Sequence, residues 1–326
     1  MPDQILPPPD PLCGPVPTLW DGDGIEAAVH DSRDLLLAAR PDVVDVHTWS
    51  IRQGADLVRA ILPDVRLVAG VGVDGIARQV ALKQRTVAQG IATFHGLARQ
   101  AADVGALGIT WNAEVSYKRP PTRPEKARLH DLVTGALQDV KAAFPLLRQF
   151  HTSYDHPSYH PTYDWSGWLG EGSPVEASFF QVYAAPGDGR VMAHRGALPK
   201  RKARAFTSYQ ATVKARRIRP DAPDGTPGDL VDLDWRPYFQ LHSVPGTDTV
   251  RESVRYPVVF LWALRSRTDA EGRLAFLALC ELHRRGYWGA GGVGRFQTWA
   301  RDQGLYTDRI DEDCGPKTRR ALGLAE

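Results

Sequence analysis

The feature that most constrains the fold of this chain is a repeated alternation of short apolar runs with longer, helix-like segments. About eight runs rich in Val, Leu, Ile and aromatic residues alternate with segments whose apolar residues recur every three or four positions. Alternation of this kind is typical of parallel β-strands joined by α-helices. The sequence therefore predicts an α/β fold. We expect residues 18–270 to form a (β/α)8 TIM barrel, after an extended, proline-rich lead-in at residues 1–17.

An open, doubly wound sheet is the alternative fold for the same alternation. Such a sheet has a point at which the strand order reverses, and it usually carries a glycine-rich first turn. No G-x-G-x-x-G motif follows the first predicted strand of this chain. The barrel is therefore favoured, and the open sheet is kept as the alternative.

Length, charge and hydropathy argue against several classes of function. The 326 residues, of which 43% are hydrophobic and 24% charged, suffice for one large domain and a small module. With 40 Lys and Arg against 38 Asp and Glu, the net charge of +2 argues against a general polyanion binder, so we predict no nucleic-acid partner. No run of about 18 apolar residues is present, which predicts no insertion into a membrane.

Two features predict a protein that is made in the cytoplasm. The proline-rich start lacks the basic residues and the apolar centre of a signal peptide. The cysteines Cys13, Cys280 and Cys314 share no metal-ligand spacing and are typical of unpaired thiols in a reducing compartment. We predict neither a metal nor a cofactor.

The candidate functional residues stand at the carboxyl ends of the predicted strands, where a barrel places its active site. The run 106–114 ends at Glu114 close to Trp111, whose apolar ring would raise the pKa of the carboxyl and suit it to general acid–base catalysis. A carboxylate at the barrel rim paired with Lys118 or Arg119 is the alternative. Aromatic rings interleaved with polar groups are the lining that a sugar polymer requires. The further candidates are two catalytic carboxylates, Asp155 and Asp74, and seven substrate-binding residues, Asn112, Trp49, Tyr154, Gln181, Tyr183, His242 and Trp262.

Some of these residues resemble the active-site pattern of family-18 chitinases and related barrel glycosidases. In that family the fourth strand ends at a catalytic Glu, the sixth carries a polar residue two before a Tyr, and the eighth ends at a Trp. Glu114, Gln181 with Tyr183, and Trp262 stand at the matching places. The chain departs from the family two and four residues before the Glu, where Asn and Thr replace aspartates.

The last part of the chain, residues 271–326, is similar to the three-helix peptidoglycan-binding repeat. The matching elements follow one another in the expected order: Gly286-Tyr-Trp-Gly289, Phe296-Gln297, Gly304-Leu305, Asp311, Gly315-Pro-Lys-Thr318 and Ala321-Leu322. This resemblance implies a small three-helix module that binds peptidoglycan. The first of its helices is also a candidate for the last helix of the barrel.

Together the two resemblances imply a peptidoglycan hydrolase of the phage endolysin type, which cleaves a glycosidic bond with Glu114 as general acid and base and acts at the bacterial cell wall. Two alternatives remain open. One is a glycan-binding protein whose barrel has lost catalysis. The other is a zinc-dependent amidase that uses His151, His156 and His160, although their spacing is not a known zinc signature and Pro157 and Pro161 interrupt any helix.

Overall fold

The computed structural model describes residues 15–20, 24–113, 121–154, 174–181, 216–218, 227–230, 259–262, 270–287, 292–311 and 315–324. The strands are β1 Pro15–Trp20, β2 Val43–His47, β3 Arg66–Gly72, β4 Gly108–Asn112, β5 Arg148–Tyr154, β6 Ala177–Gln181, β7 Arg216–Ile218, β8 Pro227–Leu230 and β9 Val259–Trp262. The helices are α1 Ile25–Ala39, α2 Ile51–Ile61, α3 Asp74–Ala81, α4 Val87–Asp103, α5 Arg123–Ala143, α6 Ala270–Arg284, α7 Gly292–Asp302 and α8 Pro316–Ala321.

Seven of these strands form one parallel sheet in the order β6-β5-β4-β3-β2-β1-β9. From β1 to β6 each strand lies beside its predecessor in the chain, and β9 pairs with the other side of β1. The two remaining strands, β7 and β8, form a separate antiparallel pair. The predicted α/β fold with a parallel sheet is thus confirmed.

Several helix boundaries follow from local chemistry. At the start of α4, the Thr86 hydroxyl accepts a hydrogen bond from the backbone of Gln89, and the Gln89 side chain accepts one from the backbone of Thr86. Thr122 and Glu125 form the same reciprocal pair before α5. These caps fix the starts of both helices, because the reciprocal bonds satisfy backbone N–H groups that have no partner within the helix.

One face of the sheet is covered by helices, and its side chains identify that face. A Cβ built on Gly54 of α2 would lie 2.4 Å from a methyl group of Val46, so Val46 points towards α2. Trp111 packs on Phe94 of α4 with ring centroids 4.7 Å apart and donates a hydrogen bond to Gln149. Because side chains alternate along a strand, the residues on either side of Val46 and Trp111 point to the opposite face, which we call the inner face.

The C-terminal helices α6, α7 and α8 form a second apolar cluster. Phe276, Leu279 and Phe296 are buried in it together with Leu35 and Ala39 of α1. The guanidinium group of Arg284 on α6 also donates a hydrogen bond to the carbonyl oxygen of Ala39, at 3.2 Å. Three helices are therefore present, but they share their core with α1, so the predicted separate module is not confirmed. The predicted domain boundary near residue 270 stays a prediction.

Most residues between β6 and β9 lie outside the described part of the structure. The expected strand at 238–242 and the expected helix at 247–255 both lie there. The basic helix expected at 198–217 is wrong at its end, because Arg216–Ile218 is a strand. Among the helices that the structure describes, none is long and apolar enough to cross a membrane.

Candidate functional site

The inner face of the sheet carries aligned rows of residues that run across the strands. The first row crosses β2 at Asp45 and contains Thr18, Asp45, Val68 and Gly108. Two residues nearer the carboxyl ends lies the row of His47, Gly70, Thr110 and Phe150, and beyond it the row of Gly72, Asn112 and Thr152. Polar side chains from β1, β2 and β4 thus converge on one face, and β3 contributes two glycines between them.

Asp45 is the most unusual residue of this face, because it is a carboxyl group in the middle of an apolar strand. Its side chain is 2% exposed, and its Oδ2 atom accepts a hydrogen bond from the Thr18 hydroxyl at 3.0 Å. Its Oδ1 atom has no hydrogen-bond partner among the described residues. Burial raises the pKa of Asp45 from 3.8 to about 7, and the Thr18 hydroxyl opposes part of that rise. At neutral pH the carboxyl is therefore poised to donate or to accept a proton.

Gly70 lets two polar side chains of β2 lie over strand β3. A Cβ built on Gly70 would lie 2.7 Å from Nδ1 of His47 and 2.9 Å from Oδ1 of Asp45. Any other residue would collide with both groups, since real Cβ atoms do not make contacts this short. The imidazole and the carboxyl therefore lie over the same glycine, with the unpartnered oxygen of Asp45 on that side.

Two further polar side chains face the same space from β4. Thr110 and Asn112 are 1% and 8% exposed. The Thr110 hydroxyl and the Asn112 side-chain carbonyl oxygen have no hydrogen-bond partner among the described residues. A buried polar atom without a partner destabilises a protein by roughly 1 to 3 kcal/mol, so such atoms are usually completed by water or by a ligand.

His151 belongs to the other face of the sheet. It pairs in register with Trp111 and stands two residues after Gln149, whose side chain donates a hydrogen bond to the carbonyl oxygen of Leu137 on α5. Burial lowers the pKa of His151 from 6.5 to about 3. The imidazole is therefore neutral at ordinary pH and faces the helices rather than Asp45.

The structure places some of the predicted site residues near this face. Asn112 lies in it, at the carboxyl end of β4. Asp74 begins α3 just after β3, and the preceding Val73 donates a backbone hydrogen bond to the carbonyl oxygen of Asn112 at 2.9 Å. Trp49 follows β2 and is 48% exposed.

The roles of all the predicted residues stay predictions, and the remaining ones have side chains that the structure does not describe. Their positions fall into two groups. At the ends of β5, β6 and β9 stand Tyr154, Gln181 and Trp262, whose side chains are outside the described part of the structure. Wholly outside the described residues are Glu114, Asp155, Tyr183 and His242.

Sequence reasoning missed Asp45 and Thr18. The signal was present, because the run Val43-Val-Asp-Val-His47 puts a carboxylate in the centre of a buried strand, where an isolated charge is strongly disfavoured. The prediction looked only at strand ends and therefore passed over it.

Comparison with known proteins assigns no family. No family model matches the chain. No curated protein matches it either. Among solved structures, the D-allulose 3-epimerase of Methylomonas sp. in complex with D-allulose is similar, with a TM-score of 0.37 at 11% identity, over 56% of this chain and 80% of that chain. The dihydrodipicolinate synthase of Agrobacterium tumefaciens C58 is similar with a TM-score of 0.38 at 15% identity, over 96% of both chains. Likenesses this weak carry no function to this chain.

The expected resemblance to a family-18 glycosidase with a peptidoglycan-binding repeat is wrong. No family model of either kind matches the chain. The predicted peptidoglycan hydrolase, its endolysin setting, and the wall-binding and amidase alternatives fall with it. Among the described residues, no cluster of His, Cys, Asp and Glu could hold a metal ion.

A physical reason for the error lies in the C-terminal helices. Gln297 donates hydrogen bonds to Asp311 at 2.7 Å and to Thr318 at 3.0 Å, and all three residues belong to the quoted motif. These residues hold the helices together. Their spacing therefore reports how three short helices pack, which is a property that chains with different functions can share.

Proposed function

We propose that this protein is an enzyme that exchanges protons with a small polar molecule on the inner face of its parallel sheet, with Asp45 as the acid and base. The observation that carries the proposal is the geometry of Asp45. One carboxyl oxygen is held by Thr18, while the other is buried without a partner among the described residues and lies over Gly70 beside His47.

A purely structural carboxyl group would be placed differently. Buried polar groups that only support a fold are normally hydrogen-bonded on all sides, as Gln149 is between Trp111 and Leu137. A buried carboxyl that is half-satisfied destabilises the fold, and perturbed titratable groups of this kind cluster at functional sites. Asp45 is one of these half-satisfied groups, and its pKa is raised.

The neighbours of Asp45 have distinct roles in this proposal. Thr18 orients the carboxyl group and leaves Oδ1 available for proton transfer. His47 lies nearer the carboxyl ends of the strands and would relay a proton or bind the substrate. Thr110 and Asn112 would bind polar groups of the substrate from the opposite side.

We also propose that the sheet is part of a closed eight-stranded barrel. Connections between parallel strands are right-handed, so a sheet whose strands follow one another in one direction carries all its helices on one face. An open sheet of this order would leave Asp45, Thr110 and Asn112 exposed, yet they are buried. The pairing of β9 with β1 also supports closure, since a barrel brings its last strand beside its first.

The rim residues predicted from the sequence fit the same proposal. Asp74 and Trp49 would border the entrance at the ends of β3 and β2. We propose that Glu114, two residues after Asn112, adds a further carboxyl group there. Tyr154, Gln181, Trp262, Asp155, Tyr183 and His242 remain candidates for the same rim.

The test compares wild-type protein with Asp45→Asn in a defined mixture of small polar metabolites dissolved in D2O. Mass spectrometry would follow the loss of each compound, the formation of products and the uptake of deuterium. We expect the wild type to change at least one compound, and the Asp45→Asn protein to do so about 100-fold to 10,000-fold more slowly, because it lacks the acid–base group.

Asp64→Asn is the matched control, since Asp64 is an exposed aspartate between α2 and β3. Its rate should equal that of the wild type. Turnover that persists unchanged in Asp45→Asn, or no turnover of any compound, would contradict the proposal.

A further inference from the structure

Gly70 belongs to a small group of glycines at which an added Cβ would come within 3 Å of another residue. The others in the described part of the chain are Gly54, Gly90, Gly108 and Gly135. At those positions the closest atom is a carbon of an apolar side chain, so the missing side chain serves the packing of helices and strands. At Gly70 the closest atoms are Nδ1 of His47, at 2.7 Å, and Oδ1 of Asp45, at 2.9 Å. This glycine therefore makes room for polar, titratable groups.

The room over Gly70 is needed because neither polar side chain has free space elsewhere. His47 and Asp45 are 7% and 2% exposed. Oδ1 of Asp45 has almost no accessible surface, and Oδ2 accepts the hydrogen bond of the Thr18 hydroxyl. A methyl group on Gly70 would therefore push the carboxyl group away from Thr18, or the imidazole out of its packed position.

The requirement for glycine is local to one row of the sheet. Asp45 and His47 are two residues apart on β2, so both side chains point to the inner face, and Gly70 of β3 is in register with His47. Gly72 lies one row further along the same face. A Cβ built on Gly72 would meet no atom of the described residues within 4 Å. The close approach thus belongs to the row of His47 and not to β3 as a whole.

We propose that Gly70 is a positioning residue of the acid–base site, which keeps Asp45 bonded to Thr18 and His47 beside the carboxyl group. This inference rests on the proposed function, because Asp45 is the group that would exchange the proton. Gly70 acts through the two side chains for which it leaves room. A small displacement of a catalytic group slows a reaction strongly, since proton transfer requires close and aligned atoms.

The first test is Gly70→Ala, with two readouts. Carbon-13 NMR of labelled aspartate side chains would follow the titration of Asp45. We expect the pKa of Asp45 to rise, because its carboxylate loses the hydrogen bond from Thr18 that favours the charged form. Turnover of the compound on which the wild type acts should fall about tenfold to 100-fold.

A second variant tests whether the contact with His47 is the cause. His47→Ala removes the imidazole and leaves a space that the added methyl group can occupy. We therefore expect Gly70→Ala to shift the pKa of Asp45 by less than about half as much in a His47→Ala background as in the wild type. A glycine that only the backbone of β3 requires would give equal shifts in the two backgrounds.

Gly96→Ala is the matched control, because a Cβ on Gly96 of α4 would meet no described atom within 4 Å. It should leave the titration of Asp45 and the turnover as they are in the wild type. Circular dichroism would check that each variant is folded. If Gly70→Ala alone is unfolded, a folded double variant with His47→Ala would still identify the contact. If both are unfolded, the inference is overturned.

The outcomes separate this inference from the proposed function. An unchanged pKa of Asp45 in folded Gly70→Ala, or a shift that His47→Ala does not reduce, would overturn the role of Gly70. Turnover that depends on Asp45 would then still support the enzyme. If the pKa of Asp45 shifts as expected but the wild type turns over no compound, Gly70 positions the two side chains and the proposed enzyme fails.

Discussion

Two buried polar residues of this protein, Gln297 and Asp45, differ in how completely their hydrogen bonds are satisfied. The amide nitrogen of Gln297 donates to Asp311 and Thr318, and its carbonyl oxygen accepts from the backbone of Asp311 at 3.1 Å. Asp45 has a hydrogen bond from Thr18 on one oxygen, and its other oxygen has no partner among the described residues. The first arrangement joins three segments of the chain. The second leaves one carboxyl oxygen of Asp45 able to form a hydrogen bond that the described residues do not supply.

The largest effect that we expect in this comparison is a change in how the stability of the protein depends on pH when Asp45 becomes Asn. Because the folded pKa of Asp45 is raised to about 7, the folded state holds its proton more tightly than the unfolded state does. Its contribution to stability is therefore full below about pH 4 and is lost as the pH rises to about 7. His47, which also lies over Gly70, is the same in the wild type and in Asp45→Asn.

Urea unfolding at pH 5 and pH 8 measures this effect. Between these values the wild type should lose about 3 kcal/mol more stability than Asp45→Asn does. Asp64→Asn should follow the wild type. Equal losses of stability in wild type and Asp45→Asn between pH 5 and pH 8 would mean that Asp45 is an ordinary ionised carboxylate. The contrast between Asp45 and Gln297 would then not hold.

Replacing Gln297 by Leu tests the satisfied side of the comparison. Leu has a similar volume, but it removes the hydrogen bonds that Gln297 donates to Asp311 and Thr318. We expect a loss of roughly 2 to 3 kcal/mol in the free energy of unfolding, at every pH from 5 to 8, and no effect on turnover. Gln303→Leu, at an exposed position, is the control. A change in turnover without a loss of stability would show that Gln297 is not merely structural.

His151 sharpens the comparison because its expected pH dependence has the opposite sign. Its folded pKa is lowered to about 3, so acid protonates the unfolded chain first, and stability is lost as the pH falls below about 6.5. His151→Gln should therefore lose about 2 kcal/mol less than the wild type between pH 6.5 and pH 5. Thermal unfolding over this range gives the slopes, and equal slopes would show that His151 is not buried as described.

The smallest effect concerns Thr18, which holds one oxygen of Asp45. Thr18→Val removes a hydrogen bond that favours the charged carboxylate, so the pKa of Asp45 should rise further. The loss of stability should be about 1 kcal/mol. Carbon-13 NMR of labelled aspartate side chains would follow the titration. Thr93→Val, at a distant helix position, should leave the Asp45 resonance unchanged, and a fall in the Asp45 pKa in Thr18→Val would contradict the assigned role.

Part of the proposed site could be predicted from the sequence. Asn112 and Asp74 are candidates because they follow apolar runs, and a parallel sheet gathers the residues at its strand ends; their roles stay predictions. Asp45 was not identified because a residue in mid-strand becomes a candidate only when the structure shows what lies opposite it. The prediction of a peptidoglycan-binding repeat was wrong, because the spacing of its residues reflects how the C-terminal helices pack and not a function.

The sequence by itself determined the alternation of strands and helices, the capped starts of α4 and α5, and thus the α/β class with a parallel sheet. These features depend on interactions between residues that are close in the chain, which local patterns record. Only the tertiary structure brought Thr18 to Asp45 and set Gly70 against His47. It also placed Thr110 and Asn112 of β4 on the same face of the sheet as Asp45. These contacts depend on strand order and register, which arise from the packing of distant segments and leave no local pattern in the sequence.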